Sequence, residues 1–364
     1  MTKFPRTKLV INNLNLSFNN RKMINFIIKH FDSQLLEINS IISDVTLSKS
    51  NLTSEIAYHL IGAGGKKIRP LLMLATAEML GVKDRSILNL AAVVEMIHNA
   101  GLLHDDVIDN SKLRRGKATA NTVWDNKFSV LVGDFLFAGA FQLMVSCGNI
   151  EVLELLSRAS KQMVAGEIIQ LQKFGDTDLT IEEYLEIVSG KTAVLFSAST
   201  ATVATIANLP IEQIADLQNF GKYLGIIFQI VDDILDYRAN QEVFGKKLGL
   251  DFLEGKVTIP IIATLSVADR EDSLQIKQFF LENFQNTSAD NNEDKANLIQ
   301  ESRQFQENFK KIIEKINKYQ GFELSIETAK KYQNMAEEIL NKFPDSSAKE
   351  YLQQILLYTI SRIF

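Results

Sequence analysis

The sequence predicts an all-α protein, a single-domain bundle of ten or more helices around a central cavity. Three observations predict it. Apolar residues recur at three- and four-residue spacings through most of the chain, with no sustained period-two alternation that would mark a sheet. Only five prolines occur in 364 residues and 46% of the residues are hydrophobic, which permits long helices with few breaks. Two aspartate clusters, Asp105-Asp106-Val107-Ile108-Asp109 and Asp232-Asp233-Ile234-Leu235-Asp236, sit inside apolar runs. Buried charge of that kind needs a cavity and a positive partner.

Taken in order, residues 1–31 contain no Asp or Glu but carry Lys3, Arg6, Lys8, Arg21, Lys22 and Lys29. An Asn-rich start of this kind, with Met23 inside it, reads as a disordered extension over 1–23, and 24–364 as the folded domain. The location expected is cytoplasmic; a mitochondrial presequence is the alternative reading of the same basic segment. Residues 24–62 carry a helical pattern through Ile24, Ile27, Ile28, Phe31, Leu35, Leu36, Ile38 and Ile41. A break at Gly62-Ala63-Gly64-Gly65 follows, and Pro70 then suits the first position of a helix that ends near Gly81. Residues 85–109 form an apolar helix ending in the first aspartate cluster, and the basic stretch 110–121 reads as a loop.

Four further helices are expected over 120–147, 150–174, 180–208 and 211–240, separated by Gly148-Asn149, Gly175-Asp176 and Asn208-Leu209-Pro210. Residues 286–297 read as a polar insert, and final helices cover 298–319, 325–342 and 346–363. A net charge of −5 argues against a nucleic-acid partner. The single Cys147 excludes an intramolecular disulfide framework or thiolate metal cage. No uninterrupted apolar run reaches the ~18–20 residues of a membrane span, so no transmembrane segment is expected.

The clusters carry the chemistry. On a helix, positions i and i+4 share a face, so Asp105 with Asp109, and Asp232 with Asp236, each aim two carboxylates at one point. Hard oxygen donors on rigid helices suit Mg²⁺, which keeps waters and binds through few carboxylates plus substrate phosphates. A diphosphate is the natural ligand. Lys66 and Arg69 follow a Gly-Gly turn beside a helix N-terminus, where anions are favoured. Arg114 and Arg115 follow the first cluster, Lys191 and Lys246 bracket the second half, and His98 lies two turns before Asp105. Cations so spread suggest two anionic substrates, one held at metal and one by side chains. A di-iron bundle is not indicated, because His30, His59, His98 and His104 do not fall in Glu-x-x-His patterns.

These stretches together resemble a trans-type polyprenyl diphosphate synthase, and within that family the long-chain, octaprenyl-type enzymes. The resemblance rests on Gly-Gly-Lys-Lys-Ile-Arg-Pro at 64–70, Glu-Met-Ile-His-Asn-Ala-Gly-Leu-Leu-His-Asp-Asp-Val-Ile-Asp at 95–109, and Leu-Arg-Arg-Gly-Lys-Ala-Thr-Ala-Asn at 113–121. It also rests on Leu-Val-Gly-Asp-Phe-Leu at 131–136, Gly-Lys-Thr at 190–192, Phe-Gln-Ile-Val-Asp-Asp-Ile-Leu-Asp at 228–236, and the run from Gly245 to Pro260. The resemblance implies the isoprenoid-synthase type of helical fold, a homodimer, and elongation of an allylic diphosphate by isopentenyl diphosphate to a long all-trans product for a quinone side chain.

By the same resemblance, Asp105, Asp109 and Asp232 would hold about three Mg²⁺ ions per active site, with Asp106, Asp233 and Asp236 secondary or water-mediated. Arg114, Lys191 and Lys246 would grip the allylic diphosphate. Lys66, Arg69, His98 and Arg115 would hold isopentenyl diphosphate, and Thr192 and Gln229 would flank the allylic cation. Small residues at Ala100 and Gly101 would leave a product tunnel open below Asp105, its floor set by Met144 or another side chain of 131–147. A short-chain synthase, a terpene cyclase and a non-catalytic partner subunit are the alternatives. Two intact clusters and the Lys66–Arg69–His98 group count against the last two.

Overall fold

Helices form where apolar spacing and end signals coincide, and their ends place the charged residues. The computed structural model describes residues 22, 24–48, 50–62, 65–238, 249–288 and 303–363. The expected extension over 1–23 lies almost wholly outside them, as do Lys246 and most of the insert at 286–297, although 286–288 are helical.

Residues 24–30 are helical and turn at Phe31 into α1 (Asp32–Thr46). Next come α2 (Asn51–Gly62), α3 (Ile68–Met79) and the 23-residue α4 (Ser86–Ile108). The chain continues through α5 (Ala120–Trp124), α6 (Asn126–Ser146), α7 (Ile150–Gln172) and α8 (Ile181–Val188). A π-helical turn at Ser189–Ala193 leads to α9 (Val194–Ile206) and the 28-residue α10 (Ile211–Arg238). The remainder is α11 (Leu250–Leu253), α12 (Ile259–Leu265), α13 (Arg270–Ser288), α14 (Arg303–Lys318), α15 (Gly321–Leu340) and α16 (Ser347–Ser361).

The core centres on α9, in which every residue from Leu195 to Thr205 is buried. Its small side chains at Ala198, Ser199, Ala201 and Ala204 allow α3, α7 and α10 to approach closely. α4 packs on α6 and α10 on α15, so the two aspartate-bearing helices are braced from outside. α6, α4 and the run Ile181–Ile206 are each long and apolar enough to cross a membrane by length and composition. Bundle burial accounts for 67% of the most apolar window of α4 and 72% of that run, but only 39% of that of α6.

Several local readings are corrected. The stretch 24–62 is broken at Phe31 and again at Leu47 and Ser48. The helix at Pro70 begins two residues earlier, at Ile68, and proline is tolerated there because first-turn N–H groups need no intrahelical acceptor. The 110–121 loop contains a two-residue hairpin, Leu113–Arg114 paired antiparallel with Lys117–Ala118. Its turn residues, Arg115 and Gly116, have φ of 52° and 78°, as a type I′ turn requires. So short a strand pair leaves no alternation to read. Asp125 (φ 91°) divides 120–147 and caps α6 by accepting from the Lys127 N–H. The π turn interrupts 180–208, and helices α11 to α13 appear between the second cluster and the insert, where none was predicted.

Candidate active site

The first aspartate cluster occupies the last turn of α4, and its three carboxylates have three different fates. Asp105 is half-buried; burial pushes its carboxyl up to about 6, with Glu167 and Asp109 adding to the effect and Lys191 and Arg114 opposing it. Asp106 points inward and accepts from both Arg114 Nε (2.9 Å) and Nη2 (2.7 Å), which anchors the hairpin to α4. Asp109, the C-cap of α4, pairs with Lys256 at 3.1 Å. Lys256 also pairs with Glu254 at 2.8 Å. Burial alone would lower the Lys256 ammonium, but Glu254, Asp109 and Asp251 outweigh it and raise it well above the usual lysine value. Burial pushes Glu254 up to about 7.

The second cluster lies near the end of α10. Asp232 accepts from Arg362 Nη2 at 2.5 Å, and the Arg362 guanidinium lies 5.0 Å from the Phe228 ring centre. Asp233 is buried, and each of its oxygens accepts one hydrogen bond: from Tyr184 Oη at 2.6 Å and from Gln229 Nε2 at 2.7 Å. Burial and the nearby Asp251 push Asp233 up to about 8, against the pull of those two donors. Asp236 accepts from the backbone of the following segment, Asp251 N–H to Oδ2 (3.2 Å) and Gly249 N–H to its carbonyl (3.1 Å). Asp109 stays close enough to Asp105 to raise it, whereas Asp236 is held by the backbone of the next segment. Asp106 and Asp233 turn into the core, and Asp236 fastens a loop.

Among the described residues, no group of three or more His, Cys, Asp or Glu side chains is placed to hold a metal ion by itself. The donor chemistry still fits Mg²⁺, whose shell needs only one or two carboxylates when water and phosphate complete it. Asp105, Asp109 and Asp232 supply oxygen alone. Asp109 and Asp232 are balanced by long cationic side chains that can swing aside, so the negative charge is already compensated by positive groups.

The second group of cations gathers between α3, α4 and the hairpin. Lys66 is hydrogen-bonded to Tyr358 Oη and lies 4.2 Å from the centre of that ring, while Lys67, the left-handed residue before α3, bonds Asn39. Arg69 stacks 4.3 Å over the Phe196 ring, and its buried Nε has no protein acceptor. Burial lowers Arg69 to about 10, partly offset by Glu95 and Asp232. Burial also depresses His98 well below the usual histidine value, reinforced by Arg69, Arg115 and Arg114, so the ring is neutral and acts as a hydrogen-bonding group. Arg115 is brought in by the hairpin turn and by Gly65: a Cβ on Gly65 would lie 2.5 Å from the Arg115 Nη1.

Lys191 and Thr192 sit on the π turn. Lys191 pairs with Glu167 at 2.5 Å and donates to Gln170 at 2.6 Å; Thr192 donates to Gln229 Oε1 at 2.8 Å. The turn fits because Gly166 of α7 leaves room for it, a Cβ there falling 2.5 Å from the Lys191 backbone nitrogen. Lys191, Thr192, Gln229, Asp233, Tyr184 and Lys256 all border one cavity. Ala100, Gly101 and Met144 do not border it: Ala100 and Met144 are buried in the core, and a Cβ on Gly101 would touch Met163 of α7 at 3.4 Å. Lys246 lies outside the described residues.

Sequence reading missed Glu95, Glu167, Tyr184, Lys256, Tyr358 and Arg362 as site residues. Glu95 had a signal, one turn before His98 on the same helix, and Lys256 sat inside a quoted motif. Arg362 lies 130 residues from the carboxylate it meets and had none.

The family model for polyprenyl synthetase matches residues 50–302. The chain belongs to the polyprenyl synthetase family. It is a trans-prenyltransferase. Octaprenyl diphosphate synthase of Escherichia coli (strain K12) is 40% identical over 240 residues, 66% of this chain and 74% of that protein. This polyprenyl synthetase is also similar in structure to a decaprenyl diphosphate synthase from Rhodobacter capsulatus, with a TM-score of 0.84, 35% identity, and coverage of 94% of this chain and 99% of that one. A polyprenyl synthase from Caulobacter crescentus CB15, complexed with calcium and isoprenyl diphosphate, gives a TM-score of 0.83 and 34% identity, covering 93% and 97% of the two chains.

Proposed function

We propose that the protein is a Mg²⁺-dependent synthase that elongates an allylic diphosphate with isopentenyl diphosphate to a long, octaprenyl-like all-trans product for a quinone side chain. The observation that carries this reading is the division of charge. Asp105, Asp109 and Asp232 lie beside the cations Lys191, Lys256 and Arg362, while Arg69, Arg115 and the neutral His98 form a second group of charges within electrostatic reach of one another. The relatives' long-chain products, octaprenyl and decaprenyl, support the product class.

About three Mg²⁺ ions, held by Asp105, Asp109 and Asp232, would supply charge neutralisation of the leaving diphosphate. The chain's own residues do the rest. Lys191 and Arg114, with Lys246, grip the allylic diphosphate, while Lys66, Arg69, His98 and Arg115 orient isopentenyl diphosphate. The unpartnered Arg69 Nε is a ready donor for it. The oxygens of Thr192 and Gln229 face the developing allylic cation, and the packed apolar helices exclude the water that would quench it. The apolar stripes Phe128-Leu131-Phe135 on α6 and Val164-Ile168-Leu171 on α7, exposed in the monomer, suit a second copy of the chain and support a homodimer. A cytoplasmic location goes with this reading, with the mitochondrion the alternative.

Radiolabelled isopentenyl diphosphate, farnesyl diphosphate and Mg²⁺, with products separated by length, test it. A long-chain product is expected, and Asp105→Ala or Asp232→Ala is expected to lower turnover by about 10²–10³-fold without unfolding the protein. Near-normal turnover of either variant would remove the proposed metal roles, and products ending at farnesyl or geranylgeranyl length would replace the long-chain reading with the short-chain one.

A further inference from the structure

We infer that Tyr184 is a positioning residue that sets the direction of the Thr192 hydroxyl through Asp233 and Gln229. The inference rests on the reading above, in which Thr192 and Gln229 flank the allylic cation. Four side chains from three segments form one unbranched series. Tyr184 of α8 donates to Asp233 Oδ2 at 2.6 Å, and Gln229 Nε2 donates to the other Asp233 oxygen at 2.7 Å. The Gln229 carbonyl oxygen then accepts from Thr192 Oγ1 at 2.8 Å. All four border the same cavity.

The direction of each bond follows from the one before it. The Asp233 oxygen facing Gln229 accepts from the amide, which draws the –NH₂ of Gln229 toward Asp233 and turns the amide oxygen toward Thr192. That oxygen takes the Thr192 proton, and the threonine lone pairs are left for the cavity. An oxygen lone pair facing the cavity stabilises positive charge, whereas a hydroxyl proton there would oppose it. Tyr184 holds the far end. It is 4% exposed and stands one turn into α8, whose start is locked by a reciprocal pair: Thr180 Oγ1 accepts from the Glu183 N–H and the Glu183 carboxylate accepts from the Thr180 N–H. Without the tyrosine hydroxyl, one Asp233 oxygen is buried unpaired. The carboxylate can then rotate, the amide can flip, and the Thr192 proton is free to turn inward.

A double-mutant cycle tests this. Tyr184→Phe is expected to lower kcat about tenfold while the KM for each diphosphate stays within about twofold, because only a group acting at the reacting centre is disturbed. Combined with Thr192→Val, it is expected to add nothing to the loss caused by Thr192→Val alone. Multiplicative losses in the double variant, an effect confined to KM, or an unchanged kcat in Tyr184→Phe would each overturn the inference. If Tyr184→Phe does not fold by circular dichroism, Asp233→Leu breaks the same series, since it leaves the Gln229 –NH₂ with no acceptor. It is expected to lose kcat non-additively with Thr192→Val and to keep the wild-type Mg²⁺ concentration for half-maximal rate; a raised Mg²⁺ requirement or additivity would overturn the inference. Failure of the underlying reading looks different: the wild-type protein itself would not condense the two diphosphates.

Discussion

At the scale of single residues, the site stores negative charge that the folded protein would rather neutralise. Burial raises Asp105 to about 6, Glu254 to about 7 and Asp233 to about 8, each above the ~4 of an unfolded carboxyl. A raised carboxyl binds its proton more tightly when folded. Its stabilising contribution is therefore complete below the unfolded value and is lost as pH rises through the folded one. The metal-free protein is expected to melt at progressively lower temperature as pH rises from about 5 to about 8.5, with Asp233→Asn reducing the slope. Melting curves across that range check it; a metal-free protein that became more stable with rising pH would contradict the assignment. Lys256 and Arg362 act in the same sense, each covering a carboxylate that would otherwise be costly to bury.

At the scale of elements, the π turn does what a continuous helix could not. Its wider hydrogen-bonding pattern admits an extra residue and re-aims Lys191 and Thr192 relative to the helix before it. The turn needs Gly166 opposite, because the Lys191 backbone nitrogen and Gly190 carbonyl carbon stand 2.5 and 2.8 Å from the Cβ that any other residue would carry. Backbone cannot yield as a side-chain tip can. Gly166→Ala is expected to destabilise the protein by about 1–3 kcal/mol in denaturant unfolding, and to reduce turnover more than Gly101→Ala, whose Cβ meets only the flexible end of Met163. Equal stability and turnover of the two variants would mean that the π turn moves freely.

At the scale of the whole molecule, α6 is the exception to the bundle's economy. Its mate α4 keeps its apolar surface inside, but α6 leaves Leu131 62% exposed and Phe128 44% exposed, and α7 likewise exposes Val164 and Ile168. Covering such a stripe with a second copy removes apolar surface from water at roughly 25 cal/mol per Å². Leu131→Glu is expected to convert a dimer into monomer in light scattering coupled to gel filtration. A wild-type monomer, or an unaffected dimer in the variant, would place the self-association elsewhere.

Helix positions along most of the chain, the aspartate clusters and the cation groups were legible in the sequence because each is a local pattern: an apolar period, a capping residue, carboxylates one turn apart. The same patterns put Asp105 with Asp109, and Asp232 with Asp236, on one helix face, but did not show what each carboxylate in the clusters would meet. Whether a carboxylate faces the cavity or the core depends on what packs beside it. Arg114 turns Asp106 inward, Tyr184 and Gln229 take Asp233, and the backbone at 249–251 takes Asp236. Gln229 stands one turn before Asp233 on the same helix, but the other partners are not marked by spacing, since their bonds join segments brought together only by packing or by a tight turn. The hairpin that lifts Arg115 against Gly65 and the π turn that lifts Thr192 toward Gln229 are decided the same way. Local propensity leaves such short irregular pieces undetermined, and burial of the surrounding helices selects their one compatible geometry.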